Sequence, residues 1–194
     1  MKPKLGVLGS GKGSNLKAIF EKIEAGQLDA EVAVVVSDVE GAGILDLARD
    51  QGVAAIRIDP GSEKGGRLSE GAVKEITDRL KAAGVDLVVL AGFMKIVRGD
   101  LLEEFSGRML NIHPSLLPKY KGLAAWKRAL EAGEQEAGCT VHRVSAGVDS
   151  GEILGQARVP ILEGDGEDEL HARIQQQEHE LYSRVIAEVL TNDA

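Results

Sequence analysis

The feature that most constrains this chain is a rhythm. Short β-branched runs alternate with stretches whose apolar residues recur at helical spacing, and glycines close most of the helices. Lys4–Leu8, residues 32–36, residues 53–58 and Leu87–Leu90 predict strands. Residues 14–25, 44–51 and 69–83 predict the helices between them, stopped by Gly26, Gly52 and Gly84. Residues 32–36 are apolar without alternation, as in a strand buried on both faces. Strand, helix, strand at this spacing implies right-handed crossovers in a parallel sheet. Further on, residues 99–105 and 123–132 predict short helices, and 109–112 a short strand before the irregular loop 113–122. Residues 140–144 and 153–159 predict an antiparallel pair. Residues 168–190 predict a long helix with Leu170, Ile174, Leu181, Val185 and Val189 on one face. The expected fold class is α/β: a Rossmann-like, mostly parallel sheet with helices on both faces and an antiparallel C-terminal extension.

At 194 residues the chain suits one domain, 1–194, and buries a core without disulfide or metal staples. Aromatics make up only 3%, so that core must be Val, Leu, Ile and Ala. The net charge of −8 argues against wrapping a phosphate backbone, so no nucleic-acid partner is expected. Cys139 has no second cysteine to pair with, which fits a reducing compartment. The first residues lack a signal h-region, and no run approaches the roughly 18 apolar residues of a membrane span. A cytoplasmic protein without membrane attachment is the expectation.

Gly9-Ser10-Gly11-Lys12-Gly13-Ser14-Asn15 lies between the first strand and the first helix. Glycines let the backbone approach an anion, and the helix N-terminus offers free N–H groups and partial positive charge. Lys12, Ser14 and Asn15 add donors, so we expect a phosphate site. Gly6 and Gly11-Lys12 have P-loop spacing, but Gly13 replaces the magnesium-binding hydroxyl and Gly6 falls inside the strand, which sets that reading aside. A dinucleotide fingerprint lacks its third glycine at Ser14, yet Asp38 at the end of the second strand is placed to bind a ribose, so this reading stays open. A tight turn with no ligand is the third.

Asn111-Ile112-His113-Pro114 ends the fifth strand, where ligands of parallel sheets bind. Alternation sends Asn111 and His113 to one face and Ile112 to the other. A carboxamide can hold a developing oxyanion, and an imidazole can move a proton near neutral pH. A packing role for His113 is the bland alternative. Asp149 lies in the turn 145–151; a carboxylate near His113 would favour its protonated form and fix its tautomer, but turns favour aspartate, and a solvent-exposed turn residue is the strong alternative. His142 receives no role, Cys139 is expected to be buried, and His171 and His179 are expected at the surface. No Cys/His set has zinc spacing and no Gly-x-Ser-x-Gly elbow occurs.

These residues together resemble the folate-dependent phosphoribosylglycinamide formyltransferases. The likeness covers nearly the whole chain, through Gly11-Lys12-Gly13-Ser14-Asn15, Leu90-Ala91-Gly92-Phe93-Met94-Lys95-Ile96, Asn111-Ile112-His113-Pro114-Ser115-Leu116-Leu117-Pro118-Lys119-Tyr120, Asp149-Ser150-Gly151 and Arg173-Ile174-Gln175-Gln176-Gln177-Glu178-His179. It implies transfer of a formyl group from 10-formyltetrahydrofolate, a co-substrate, to the amine of 5′-phosphoribosylglycinamide, with no metal. It implies Asn111, His113 and Asp149 as the catalytic trio, with Asp149 raising the pKa of His113. Gly13, Ser14 and Asn15 would hold the phosphate, and Gln175 and Glu178 the ribose and glycinamide. Met94, Lys95, Ile96 and Val97 would line the folate pocket with Asn111, and Arg67 would match a family arginine. Residues 1–105 would be the phosphate-binding half and 106–194 the catalytic and folate-binding half, in a monomer or homodimer. Three departures stand out: Lys95 where many relatives have Arg, Ala124 where many have His, and Ser150 where Gly is common.

Rival readings remain. Methionyl-tRNA formyltransferases add a C-terminal domain, whereas this sequence ends in an acidic helix; formyltetrahydrofolate hydrolases add an N-terminal domain, whereas here the sheet begins at Lys4. A non-catalytic nucleotide sensor would need no Asn111/His113/Asp149 set, and a dehydrogenase would use Asp38.

Overall fold

The computed structural model describes residues 1–61 and 66–192. Seven strands form one sheet in the order β3-β2-β1-β4-β5-β6-β7. These are β1 (Lys4–Leu8), β2 (Glu31–Ser37), β3 (Ala54–Arg57), β4 (Leu87–Leu90), β5 (Met109–His113), β6 (Glu136–Arg143) and β7 (Ile153–Pro160). The first five pair in parallel, and β6 and β7 add antiparallel. The helices are α1 (Ser14–Glu24), α2 (Gly43–Asp50), α3 (Glu70–Ala82), α4 (Asp100–Glu104), α5 (Ala125–Glu131) and α6 (Glu167–Asn192).

Strand alternation builds a core on each face. Leu5, Val7, Val35, Val89 and Leu110 pack against residues of α1, α2 and α6. Leu8, Val34, Val36, Val88 and Met109 pack against α3 and α4. Gly6 lies on the α3 side, where a Cβ would come within 2.5 Å of Leu80 Cδ2, so close helix packing explains this glycine inside a strand. Ser69 caps α3 by accepting from the Ala72 N–H at 3.2 Å.

Two elements start two residues or more from where the sequence places them. β6 starts at Glu136 rather than residue 140, because Glu136 to Cys139 pair with Pro160 to Ala157 of β7. Cross-strand pairing there overrides the weak strand propensity of Glu-Ala-Gly. α5 starts at Ala125 rather than residue 123, since Ala124 takes a left-handed conformation at φ 51° and ends any helical run before it. The loop expected over residues 59–67 includes 62–65, which lie outside the described residues.

The order in which strands are added reverses at β1: β2 and β3 extend the sheet to one side, and β4 returns to pair in parallel on the other. The loops leaving β1 and β4 therefore open a crevice at their carboxyl ends, where open α/β sheets bind ligands.

Candidate active site

The glycine loop forms one wall of this crevice. Gly13 sits at φ 86° as the N-cap of α1, and a Cβ there would lie 3.0 Å from Ile44. Only glycine fits this turn without strain. Ser14 is half-buried and Asn15 buried at the start of α1. Asn15 Nδ2 donates to Glu178 Oε2 at 3.1 Å, so α6 is tied to the loop 163 residues away in sequence. Gln175 is half-buried one turn earlier on α6. Burial raises the pKa of Glu178, offset in part by Asn15.

Across the sheet, Asn111 pairs with His142 and His113 with Thr140 in the β5–β6 register. His142 Nδ1 lies 2.9 Å from the Arg143 carbonyl, which can only accept, so Nδ1 carries the proton. Its Nε2 then accepts from Asn111 Nδ2 at 3.1 Å. This buried histidine fixes which way the Asn111 amide points. His113 Nε2 donates to the Tyr120 carbonyl at 2.9 Å, leaving Nδ1 to face Asp149 Oδ2 at 3.3 Å. Asp149 Oδ2 also accepts the Gly122 N–H at 2.8 Å, and Oδ1 lies 3.4 Å from Asn111 Nδ2 and 3.5 Å from His142 Nε2. One carboxylate thus gathers both histidines, the amide and the loop 118–124.

Burial lowers the pKa of His113, outweighing the opposing contributions of the Tyr120 carbonyl and Asp149. The expectation that Asp149 leaves this pKa raised is therefore corrected: Asp149 pulls upward, but desolvation wins. Burial would raise the Asp149 pKa, yet contacts with His142 and the Gly122 N–H, and the His113 charge, hold it below its ordinary value. Tyr120, Ala124 and Asp149 all have left-handed backbones, at φ 53°, 51° and 45°, and all flank this cluster. Strain concentrated in side-chain-bearing residues is characteristic of functional sites.

The cluster opens into a cavity of about 460 Å³. Met94, Lys95, Ile96 and Val97 line one side, and Asn111 and His113 lie in its wall. Leu123, Trp126 and Val148 line it as well. Met94, Leu123 and Val148 are exposed apolar side chains here, so the cavity offers a ligand apolar surface beside the polar cluster. Trp126 stacks on His171, with ring centroids 4.0 Å apart and planes 7° from parallel. Arg67 is exposed and bridges to Ile96, next to the cavity-lining Gly66.

The structure thus brings Asn111, His113 and Asp149 together, and joins Asn15 to Glu178. His142 is the residue the sequence reading missed: β6 alternation does not choose a face until the Asn111 pairing sets the register. His171 and His179 are half-buried rather than at the surface, the first held by Trp126 and the second with its Nε2 buried. Cys139 is buried, and burial pushes its thiol up to about 12. Asp38 is not open to a ribose, because its side chain is 4% exposed and engaged by Ser10 and Lys95. Among the described residues no group of three or more His, Cys, Asp or Glu side chains is arranged to hold a metal ion, and no helix is long and apolar enough to cross a membrane.

Residues 3–186 match the formyl transferase family. The trifunctional purine biosynthetic protein adenosine-3 of Drosophila melanogaster is 45% identical over 193 residues, covering 98% of this chain and 14% of that protein. The chain thus spans about one seventh of that relative. The phosphoribosylglycinamide formyltransferase of Haemophilus influenzae is 41% identical over 184 residues, covering 94% of this chain and 85% of its own. The crystal structure of glycinamide ribonucleotide transformylase 1 from Symbiobacterium toebii superposes with a TM-score of 0.90 at 48% identity, covering 96% of this chain and 86% of that one. By its profile, its relatives and its fold, the chain belongs to the formyl transferase family.

Proposed function

We propose that the protein transfers the formyl group of 10-formyltetrahydrofolate to the amine of 5′-phosphoribosylglycinamide, giving N-formylglycinamide ribonucleotide and tetrahydrofolate in purine biosynthesis. The observation that carries this reading is the single carboxylate of Asp149, shared by His113, Asn111 and His142 at the wall of a cavity lined by Met94, whose N–H is bonded to Ser10 of the glycine loop. The names of the relatives support formyl transfer to phosphoribosylglycinamide and a place in purine biosynthesis.

In this reading the ribonucleotide phosphate rests on Gly13, Ser14 and Asn15, with its ribose and glycinamide toward Gln175 and Glu178. The folate enters along Met94 to Val97. The amine attacks the formyl carbon, and the carbonyl oxygen becomes an oxyanion held by the Asn111 amide. Because Nε2–H is committed to Tyr120, His113 gains and loses its second proton at Nδ1. The lowered pKa keeps that nitrogen mostly neutral near pH 7. It takes the proton released by the attacking amine and gives it to the departing folate nitrogen, with Asp149 stabilising the transient imidazolium. The C–N bond to the folate breaks as the new amide forms. No metal is needed for these steps. The reading treats 1–194 as one formyltransferase unit, cytoplasmic, monomeric or homodimeric, with small molecules as its partners.

The test is a spectroscopic assay following deformylation of 10-formyltetrahydrofolate with and without glycinamide ribonucleotide. Deformylation that requires the ribonucleotide supports the transferase; deformylation without it identifies a hydrolase, and no reaction with either sinks both. In the same assay His113→Ala should lose at least about 100-fold in kcat.

A further inference from the structure

Asp38 is a buried acid that the proposed reaction leaves unused. It lies just after β2, and its side chain is 4% exposed. Ser10 Oγ donates to Asp38 Oδ1 at 2.5 Å, and Lys95 Nζ lies 3.9 Å from Oδ2. The Met94 N–H donates to the same Ser10 Oγ at 2.9 Å, and the Ser10 N–H donates to the Gly92 carbonyl at 3.0 Å. Asp38 therefore holds two loops at once: the glycine loop through Ser10, and the loop after β4 through Lys95 and, by way of Ser10, Met94. The fastening continues outward, since the Ile96 N–H donates to the Gly66 carbonyl at 2.9 Å.

The hydroxyl geometry gives this link a direction. A serine hydroxyl has one proton, and Asp38 takes it, so the Ser10 lone pairs are turned toward the Met94 N–H. Without the carboxylate the hydroxyl is free to rotate, and the Met94 amide loses its oriented acceptor. Asp38 also engages the Lys95 ammonium, a point charge that pairs with its second carboxylate oxygen.

We infer that Asp38 is a positioning residue that couples the phosphate loop to the folate-side loop, so that each substrate strengthens binding of the other. The inference rests on the substrate assignment above. A phosphate on the glycine loop restricts Ser10, and through Ser10 and Asp38 it restricts Met94 and Lys95. The second ligand then meets a loop whose ordering entropy is already lost, which is positive cooperativity without a change of shape. Reciprocity requires the same factor in both directions.

The experiment uses the unreactive pair of tetrahydrofolate and glycinamide ribonucleotide with the full chain. Calorimetry on the wild type should show tetrahydrofolate binding about 5-fold tighter or more when the ribonucleotide is saturating. Asp38→Asn keeps the shape and removes the charge; its amide turns the oxygen toward the Lys95 ammonium and Nδ2 toward Ser10 Oγ, where it competes with the Met94 N–H, so the ratio should fall near one while the Tm changes little. Ser10→Ala should do the same by removing the hydroxyl that joins Asp38 to the Met94 N–H, leaving the Lys95 contact in place. A wild-type ratio of one, or a ratio unchanged in both variants, overturns the inference. To separate this from failure of the substrate assignment, inorganic phosphate serves as a second probe. Saturating phosphate should move the Met94 amide resonance in the wild type and leave it in place in Asp38→Asn. A wild type whose Met94 does not respond overturns the coupling, whatever the turnover assay shows.

Discussion

At the scale of single residues, the chemistry converges on Asp149, and its removal should separate the roles around it. Asp149→Asn keeps the turn but loses the charge that pulls the His113 pKa upward. That pKa is already below 6.5, so kcat/KM should fall on the acid side with a midpoint below 6.5 as Nδ1 becomes protonated before the amine arrives. In Asp149→Asn the midpoint should move lower still, and kcat should drop about 100-fold as the imidazolium loses its counter-charge. A pH profile whose acid limb moved upward in the variant would refute the assignment. Alternation alone put Asn111 and His113 on one face, and the structure agrees because their strand is regular. The left-handed backbone of Asp149 was not readable, since a turn rich in glycine and serine accommodates aspartate in several conformations. His142 stayed ambiguous for a different reason: facing is a property of register, and register here is a contact between residues 31 apart.

At the scale of elements, α6 does more than cover the sheet. Its amphipathic face was legible from Leu170 to Val189, yet Glu178 lies on that buried face among them. The hydrophobic period marks the face but says nothing of why a carboxyl should be in it; the answer is Asn15, on another helix. A raised pKa means the folded state holds the Glu178 proton more tightly than the unfolded chain. The acid's contribution to stability is therefore complete below about 4.5 and is lost as pH rises through the folded value. Glu178→Gln should accordingly melt about 2–4 °C above the wild type at pH 8, the shift expected for a change near 1 kcal/mol in a chain of this size, and level with it at pH 4. Paired melting curves at the two pH values check this; an advantage that is larger at pH 4 would contradict it. If Glu178 holds the ribonucleotide as proposed, the same substitution should also weaken its binding.

At the scale of the whole molecule, the alternating rhythm specified the parallel half of the sheet closely, because its central strands β1, β2 and β4 are buried on both faces and their neighbours follow from right-handed crossovers. The antiparallel half was less legible: Glu136 to Cys139 carry no strand signature and become strand only by pairing with β7. Within the parallel half, α6 is tied to β4 and β5 by Tyr182, whose hydroxyl lies 2.9 Å from the Leu90 carbonyl and 3.0 Å from the Leu110 carbonyl. Its side chain is fully buried, and burial raises its pKa well above the ordinary value, so it remains a donor throughout the working range. Tyr182→Phe leaves those carbonyls without their partner and should cost about 1–3 kcal/mol. Denaturant titration would show a lower midpoint with an unchanged slope; an unchanged midpoint would mean the hydroxyl contributes nothing.

The stacked pair at the cavity has an optical consequence. Trp126 is the one tryptophan in the chain, and it lines the cavity that the folate is proposed to enter. Its emission therefore comes from one place, unmixed with signals from elsewhere in the fold. His171 lies flat against the indole, and an imidazole quenches tryptophan more strongly once it gains a proton. Burial lowers the His171 pKa, so the quenching should set in below pH 6.5. A titration of emission against pH, repeated in His171→Gln, would show the step vanish with the ring, and addition of tetrahydrofolate at pH 8 should change the same signal with no label attached. The molecule carries its own lamp at the door of its active site.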